Sequence, residues 1–185
     1  MSGERARLFV ALELPGTVRR ALAAWAREQV GEMSRVRLVD PESLHVTLCF
    51  LGLRPVAEVD AIVAACAGVS GLPAPALTLG EALWLPPRRP RVLTIELADE
   101  HGRLTAVQSA LARALQDGGF YEPEKRPFLD HVTVARVQRE GRPRGSELPA
   151  PKPVRFSGGT VTLFQSRLGG GPARYQALAR VALAE

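Results

Sequence analysis

Apolar and polar positions change period several times along the chain, and each change marks an element. Residues 7–14 (Arg-Leu-Phe-Val-Ala-Leu-Glu-Leu) form a nearly unbroken apolar run of strand length. Pro15 and Thr17 then open a stretch in which Val18, Leu22 and Trp25 lie four and three residues apart. That is the stripe of an amphipathic helix, expected to run to about Val30, where Gly31 breaks it. A short strand over 36–39 and a turn at Asp40-Pro41-Glu42-Ser43 lead into a strand over 44–51. Gly52 and Pro55 are expected to end that strand and to start a second helix, with Val56, Val59, Val63 and Cys66 in the core. A connector, Gly71-Leu72-Pro73-Ala74-Pro75, precedes two strand-like runs, 77–85 and 91–97. Between those runs lies a stiff basic loop, Pro86-Pro87-Arg88-Arg89-Pro90.

A third helix is predicted near 100–116, with Leu104, Val107, Leu111 and Leu115 on one stripe and Gly118-Gly119 as its stop. A strand over 129–137 follows. The polar stretch 138–153, with Arg139, Arg142 and Arg144, is the segment expected to move most. Strands over 154–166 and 175–183, joined by the glycine-rich 167–174, close the chain. Neighbouring strand runs such as 77–85 and 91–97 read as hairpins. The fold class is therefore α+β with antiparallel pairing, not a parallel doubly wound sheet. The coarse pattern occurs twice, as an old duplication into two lobes would leave it, and no short repeat of a solenoid is present.

With 185 residues, 46% of them apolar and 23% charged, the chain is of a size and composition for one globular domain. No apolar run approaches a membrane span and no signal-peptide pattern opens the sequence, so the expected compartment is the cytoplasm. The net charge is +5, and all but Lys125 and Lys152 of the 24 basic residues are arginines. Arginine suits phosphate through its planar fork of donors, although the abundance of Ala, Gly and Pro points equally to codon bias. Two cysteines make neither a disulfide framework nor a zinc knuckle. Cys66 falls on a helix stripe and reads as core; Cys49 continues the face of its strand that carries His45.

Two triplets carry the candidate chemistry, His45-Val46-Thr47 and His131-Val132-Thr133, 86 positions apart. A strand repeats every two residues, so His and Thr share a face in each and the valine turns away. Two such strands side by side would hold one phosphate between two imidazoles. Histidine titrates near neutrality, so one ring can be neutral while the other is protonated. The neutral ring can take a proton from water attacking phosphorus, and the imidazolium can give one to the departing oxygen. The threonine hydroxyls can hold the phosphoryl oxygens. A metal mechanism fits less well, because phosphoryl-transfer metals want clustered carboxylates and only Asp130 is nearby, pointing to the opposite face of a regular strand. His101 opens a helix beside Gly102 and reads as exposed. The glycine-rich 167–174 lacks the Lys-Ser/Thr of a P-loop.

The tetrapeptides His45-Val46-Thr47-Leu48 and His131-Val132-Thr133-Val134 resemble the twin signature of the 2H phosphoesterase superfamily. Arg7-Leu8-Phe9-Val10-Ala11-Leu12, Phe50-Leu51-Gly52, Ala135-Arg136 and the closing Leu163…Ser166-Arg167-Leu168…Tyr175 are similar to one branch of it. That branch is the RNA 2′,3′-cyclic phosphodiesterases, historically called 2′-5′ RNA ligases. The resemblance implies one domain over residues 1–185, made of two lobes with pseudo-twofold symmetry around a central cleft, one motif in each. It implies metal-independent, cofactor-free hydrolysis of an RNA 2′,3′-cyclic phosphate end to a 2′-phosphomonoester by a monomer, on tRNA-like fragments or oligonucleotides. His45 would be the proton donor and His131 the proton acceptor, with Thr47 and Thr133 on the phosphate. Arg136 and Phe50 are possible substrate contacts, but Arg136 lies five residues past His131 and faces away unless the strand bulges, ends or twists. Phe50 reads as core more than as a base-stacking platform, and the loop 86–90 as an exposed turn or an arginine rim for RNA. Two further readings stay open: 2′-5′ RNA ligation, which is the reverse chemistry, and a non-catalytic RNA-end binding module.

Overall fold

A computed structural model describes residues 4–138, 147–167 and 174–185. In chain order the elements are β1 (Arg5–Glu13), α1 (Gly16–Val30), β2 (Val36–Leu38), β3 (His45–Pro55), α2 (Val59–Ala67), β4 (Ala76–Leu85), β5 (Val92–Asp99), α3 (Arg103–Asp117), β6 (His131–Val137), β7 (Arg155–Ser157), β8 (Thr160–Arg167) and β9 (Arg174–Ala182). They form two antiparallel sheets, one ordered β3-β1-β8-β9 and the other β2-β6-β5-β4-β7. The α+β class and the β4–β5 hairpin are as the sequence pattern predicts. The stretches 139–146, with its arginines, and 168–173, most of the glycine run, lie outside the described residues.

Each histidine strand is paired with the strand that opens its half. β1 runs against β3 and β5 against β6, and a 15-residue helix follows each opening strand. The helices then cross over. α1 packs on β2 and β6 of the second sheet, while α3 packs on β3 of the first as well as on β5. Their buried stripes, Val18-Leu22-Trp25 on α1 and Leu104-Val107-Leu111-Leu115 on α3, are those the spacing predicts. Asp99 starts α3 by accepting from the backbone N–H groups of Arg103 (3.1 Å), Leu104 (2.8 Å) and Thr105 (3.3 Å). Because each helix seals the other sheet, the buried residues join into one core.

Three expectations are corrected. β3 continues past Gly52, which takes φ +69° and lets the strand run on to Pro55. The second helix therefore starts at Val59, with a 3₁₀ turn before it, and its phase shifts: Ile62 and Cys66 are buried while Val56 is 40% exposed. The run 154–166 is two strands, not one. β7 pairs with β4 in the second sheet, and after Gly158-Gly159 β8 pairs with β1 in the first. No helix of the described residues is long and apolar enough to cross a membrane.

Gly158 sits where the chain changes sheets, and a Cβ there would collide with Cδ2 of the fully buried Leu12. Overpacking of that kind costs about 1–3 kcal/mol. Gly158→Ala is expected to lower the thermal midpoint by roughly 2–12 °C, measured by circular dichroism.

Candidate active site

The site begins with a count of residues. In β3, Val10 faces Cys49 and Ala11 faces Thr47, so Leu48 is an extra residue in the ladder. In β6, Leu93 faces Ala135 and Thr94 faces Thr133, so Val134 is extra in the same way. Each histidine strand thus carries a β-bulge directly after its His-x-Thr triplet, and the seven residues from each histidine show one identical burial pattern. The carbonyl of each bulged residue is taken from outside its own ladder. Gln108 of α3 donates to Leu48 O at 3.4 Å, and the Val39 N–H donates to Val134 O at 2.9 Å.

The bulge reverses the alternation. Cys49 is turned into the core, 1% exposed, with its thiol pushed up by burial to about 12. It therefore does not share the face of His45 and Thr47, as regular alternation would have it. Phe50 and Arg136, one step further on, take that face instead. Phe50 is 44% exposed and Arg136 is exposed, and both line a 340 Å³ cavity with His45 and Thr47. The strand geometry that Arg136 requires is therefore present.

The two imidazoles are held alike. Nδ1 of His45 donates to the carbonyl of Ser43 and Nδ1 of His131 to that of Leu129, each at 2.7 Å. A carbonyl can only accept, so both Nδ1 atoms carry hydrogen and both Nε2 atoms are left for the cleft. The Thr47 hydroxyl sits 3.0 Å from Nε2 of His45 and donates to it while the ring is neutral. Burial holds the His45 pKa down to about 4, the Ser43 carbonyl opposes this, and the positive charges of Arg136 and His131 lower it further. Thr133 is partly exposed, two residues past His131 on the strand face equivalent to that of Thr47.

Beyond the motif residues, the pleat of the first sheet adds side chains that sequence reasoning did not assign to the site. Phe9 of β1, Phe164 of β8 and Tyr175 of β9 form an aromatic wall against His45, with ring centroids 5.0, 6.4 and 5.4 Å away. Phe9 lies two residues along the pleat from Ala11, the partner of Thr47, a signal readable once pairing is known. Arg7 lies over the Phe50 ring at 4.8 Å. Glu13 stands opposite His45 in the ladder, yet Thr162 (2.5 Å) and Arg180 (2.8 Å) both donate to it and hold its pKa low against the opposing effect of burial. Glu96 holds the equivalent place opposite His131.

A second cavity of 690 Å³ contains Thr47 and His131 together, so residues of both motifs line one cleft. Asp130 lies just before β6, with burial, then Asp99 and Glu96, raising its pKa to about 6. Among the described residues, no three His, Cys, Asp or Glu side chains group in a way that could hold a metal ion. His101 is exposed ahead of α3, as predicted.

Two sheets that each offer a His-x-Thr strand to a shared cleft define a phosphoesterase of the 2H class. The family of LigT-like phosphoesterases matches residues 12–94. The RNA 2′,3′-cyclic phosphodiesterase of Escherichia coli K12 is 30% identical over 186 residues, covering 98% of this chain and 99% of its own. That of Archaeoglobus fulgidus is 32% identical over 134 residues, 72% of this chain and 74% of its own. Among solved structures, E. coli LigT complexed with 3′-AMP superposes with a TM-score of 0.84 at 27% identity, covering 98% of this chain and all of that one. A Thermus thermophilus protein gives 0.78 at 26% identity, over 96% of this chain and 97% of its own. The chain belongs to the LigT-like phosphoesterases.

An imidazole held near 4 has a pH signature. Between 6.5 and 4 the unfolded chain protonates His45 and the folded one resists, so this residue's contribution to stability is full above 6.5 and is lost as pH falls toward 4. The loss is on the order of 2–3 kcal/mol. Urea unfolding at pH 7.5 and 5.0 should show a steeper decline for the wild type than for His45→Gln; parallel declines would refute the low pKa.

Proposed function

We propose that the protein hydrolyses the 2′,3′-cyclic phosphate at an RNA 3′ end to a 2′-phosphomonoester, by two-histidine acid–base catalysis without a metal ion. One observation carries the reading: both imidazoles are anchored through Nδ1 on the carbonyl two residues earlier, and the cavities that His45 and His131 line share Thr47 and Phe50. The relatives named RNA 2′,3′-cyclic phosphodiesterase support the substrate.

The assigned roles are these. His131 accepts a proton from water as its oxygen bonds to phosphorus. The P–O3′ bond breaks, and His45 gives its proton to the departing O3′. Thr47 and Thr133 hold the non-bridging oxygens, and Arg136 and Phe50 contact the substrate from the same face. A donor must be charged, and in the empty cleft His45 is not. The substrate's own anion supplies the difference. A unit charge 4 Å away at an effective dielectric near 20 is worth about 4 kcal/mol, roughly three pKa units. That lifts His45 from about 4 to roughly neutrality. The low pKa of the free protein also favours a second reading, with the two histidines exchanged.

Neither sheet holds a complete site, so residues 1–185 act as one domain of two lobes. One chain supplies both motifs, in keeping with a monomer at work in the cytoplasm.

An oligoribonucleotide ending in a 2′,3′-cyclic phosphate should yield a 2′-phosphate in the presence of EDTA. His45→Ala and His131→Ala should each lower kcat by about 10²–10⁴; near-full activity in either would end the mechanism, and binding without turnover in the wild type would leave only an RNA-end binding module. An aryl phosphodiester whose leaving group needs no proton separates the roles. The donor's alanine variant should retain far more activity on it than the acceptor's does. The acid limb of kcat/KM should fall near pH 4 and that of kcat higher, because substrate raises the His45 pKa.

A further inference from the structure

The phosphate position between the motifs is flanked by grooves of different character. Behind His45 lies a cavity of 590 Å³ in which charge is largely cancelled. There Arg180 bonds Glu13 at 2.8 Å, Arg19 meets Glu42 at 3.1 Å, and Asp40 and Arg174 add one more acid and one more base to the lining. Such a surface offers little to a polyanion.

On the His131 side, the 690 Å³ groove runs between α3 and the segment leading into β6. Arg113 and Arg126 line it, both exposed and neither in an ion pair among the described residues; Glu124 is the one acid in its lining. Three aromatic rings, Phe50, Tyr121 and Phe128, line the same groove. Leu85 also lines the groove, and the loop after it carries Arg88 and Arg89, both exposed. Guanidinium groups beside accessible rings are the means by which proteins hold single-stranded nucleic acid: the charges track the phosphates and the rings stack bases. The groove is also larger than the 340 Å³ cavity around His45 and Arg136, and lies toward the upper end of the ~300–1,000 Å³ that holds a small ligand.

We propose that this groove receives the nucleotides immediately 5′ of the cyclic phosphate, so that the preferred substrate is a single-stranded RNA end of two or more nucleotides and not a cyclic mononucleotide. The direction is set by chemistry: a strand ending in a 2′,3′-cyclic phosphate has all of its remaining nucleotides on the 5′ side. Arg113 and Arg126 contact the internal phosphates and Phe128 and Tyr121 the bases. The inference rests on the function proposed above, and binding tests it separately from turnover.

The probes are a 5′-fluorescent trinucleotide with a 3′-phosphate, followed by anisotropy, and a 3′-mononucleotide as competitor. The wild type should bind the trinucleotide about tenfold or more tightly than the mononucleotide. In Arg113→Gln/Arg126→Gln, two exposed positions, that ratio should collapse to within about twofold. The slope of log Kd against log salt for the trinucleotide should also fall by about 1.4, at roughly 0.7 per single-strand phosphate contact. Equal wild-type affinities, an unchanged ratio in the double variant, or collapse of the ratio in Arg174→Gln instead would each overturn the proposal. Cytidine 2′,3′-cyclic phosphate reads the catalytic function alone. Turnover of it without trinucleotide preference sinks the groove and keeps the enzyme; trinucleotide preference with no turnover of any cyclic end does the reverse.

Discussion

One additional residue in each histidine strand decides what the cleft contains. Without the bulges at Leu48 and Val134, the face that carries His and Thr would continue to Cys49 and Ala135, two small apolar groups. With them, it continues to Phe50 and Arg136, a ring and a guanidinium. A bulge leaves one residue's backbone out of the ladder, and the two carbonyls concerned are satisfied by Gln108 and Val39. Gln108 belongs to α3, the helix that follows the second sheet's β5 but seals the first sheet's β3. The crossed helices are therefore part of the site: packing between halves stabilises the backbone irregularity that exposes the reactive face.

The same packing gives the cleft its electrostatic bias. His45 is partly buried beside an aromatic wall, and Arg136 and His131 are close enough to disfavour its charge. Glu13, the carboxylate that faces it across the ladder, is drawn off by Thr162 and Arg180. What results is a set of groups that disfavour charge on His45, a setting suited to the anion the proposed reaction requires. On the proposed reading, stability given up in the free protein would return with a bound phosphate, favouring the bound and reacting state.

Much of this was legible in the chain. The paired His-x-Thr triplets, the helix stripes through Leu22 and Leu111, and the β4–β5 hairpin follow from local periodicity, because each is decided within a few residues. The bulges are not local. They arise from how β1 pairs with β3 and β5 with β6, so regular alternation assigns Cys49 to the wrong face and leaves Arg136 unresolved. The division of 154–166 was signalled by Gly158-Gly159 inside the run, a pair that a straight strand has no use for. The phase of α2 was lost because the strand before it runs three residues past Gly52. Phe9, Phe164 and Tyr175 could not be grouped from sequence at all, since they meet only across three strands.

The two halves agree in register and disagree in surroundings. Glu13 and Glu96, Ala11 and Thr94, Leu48 and Val134 hold equivalent places, as duplication requires. Yet His45 is walled by rings and bonded by Thr47, while His131 opens on a groove with arginines along its length. Two identical imidazoles in identical settings would compete for one proton and would bind either end of a symmetric anion equally well. A reaction at phosphorus is not symmetric: one oxygen arrives losing a proton and another leaves gaining one. On the proposed mechanism, the scaffold's symmetry supplies the two histidines, and the divergence of what surrounds them would let the two act in different roles.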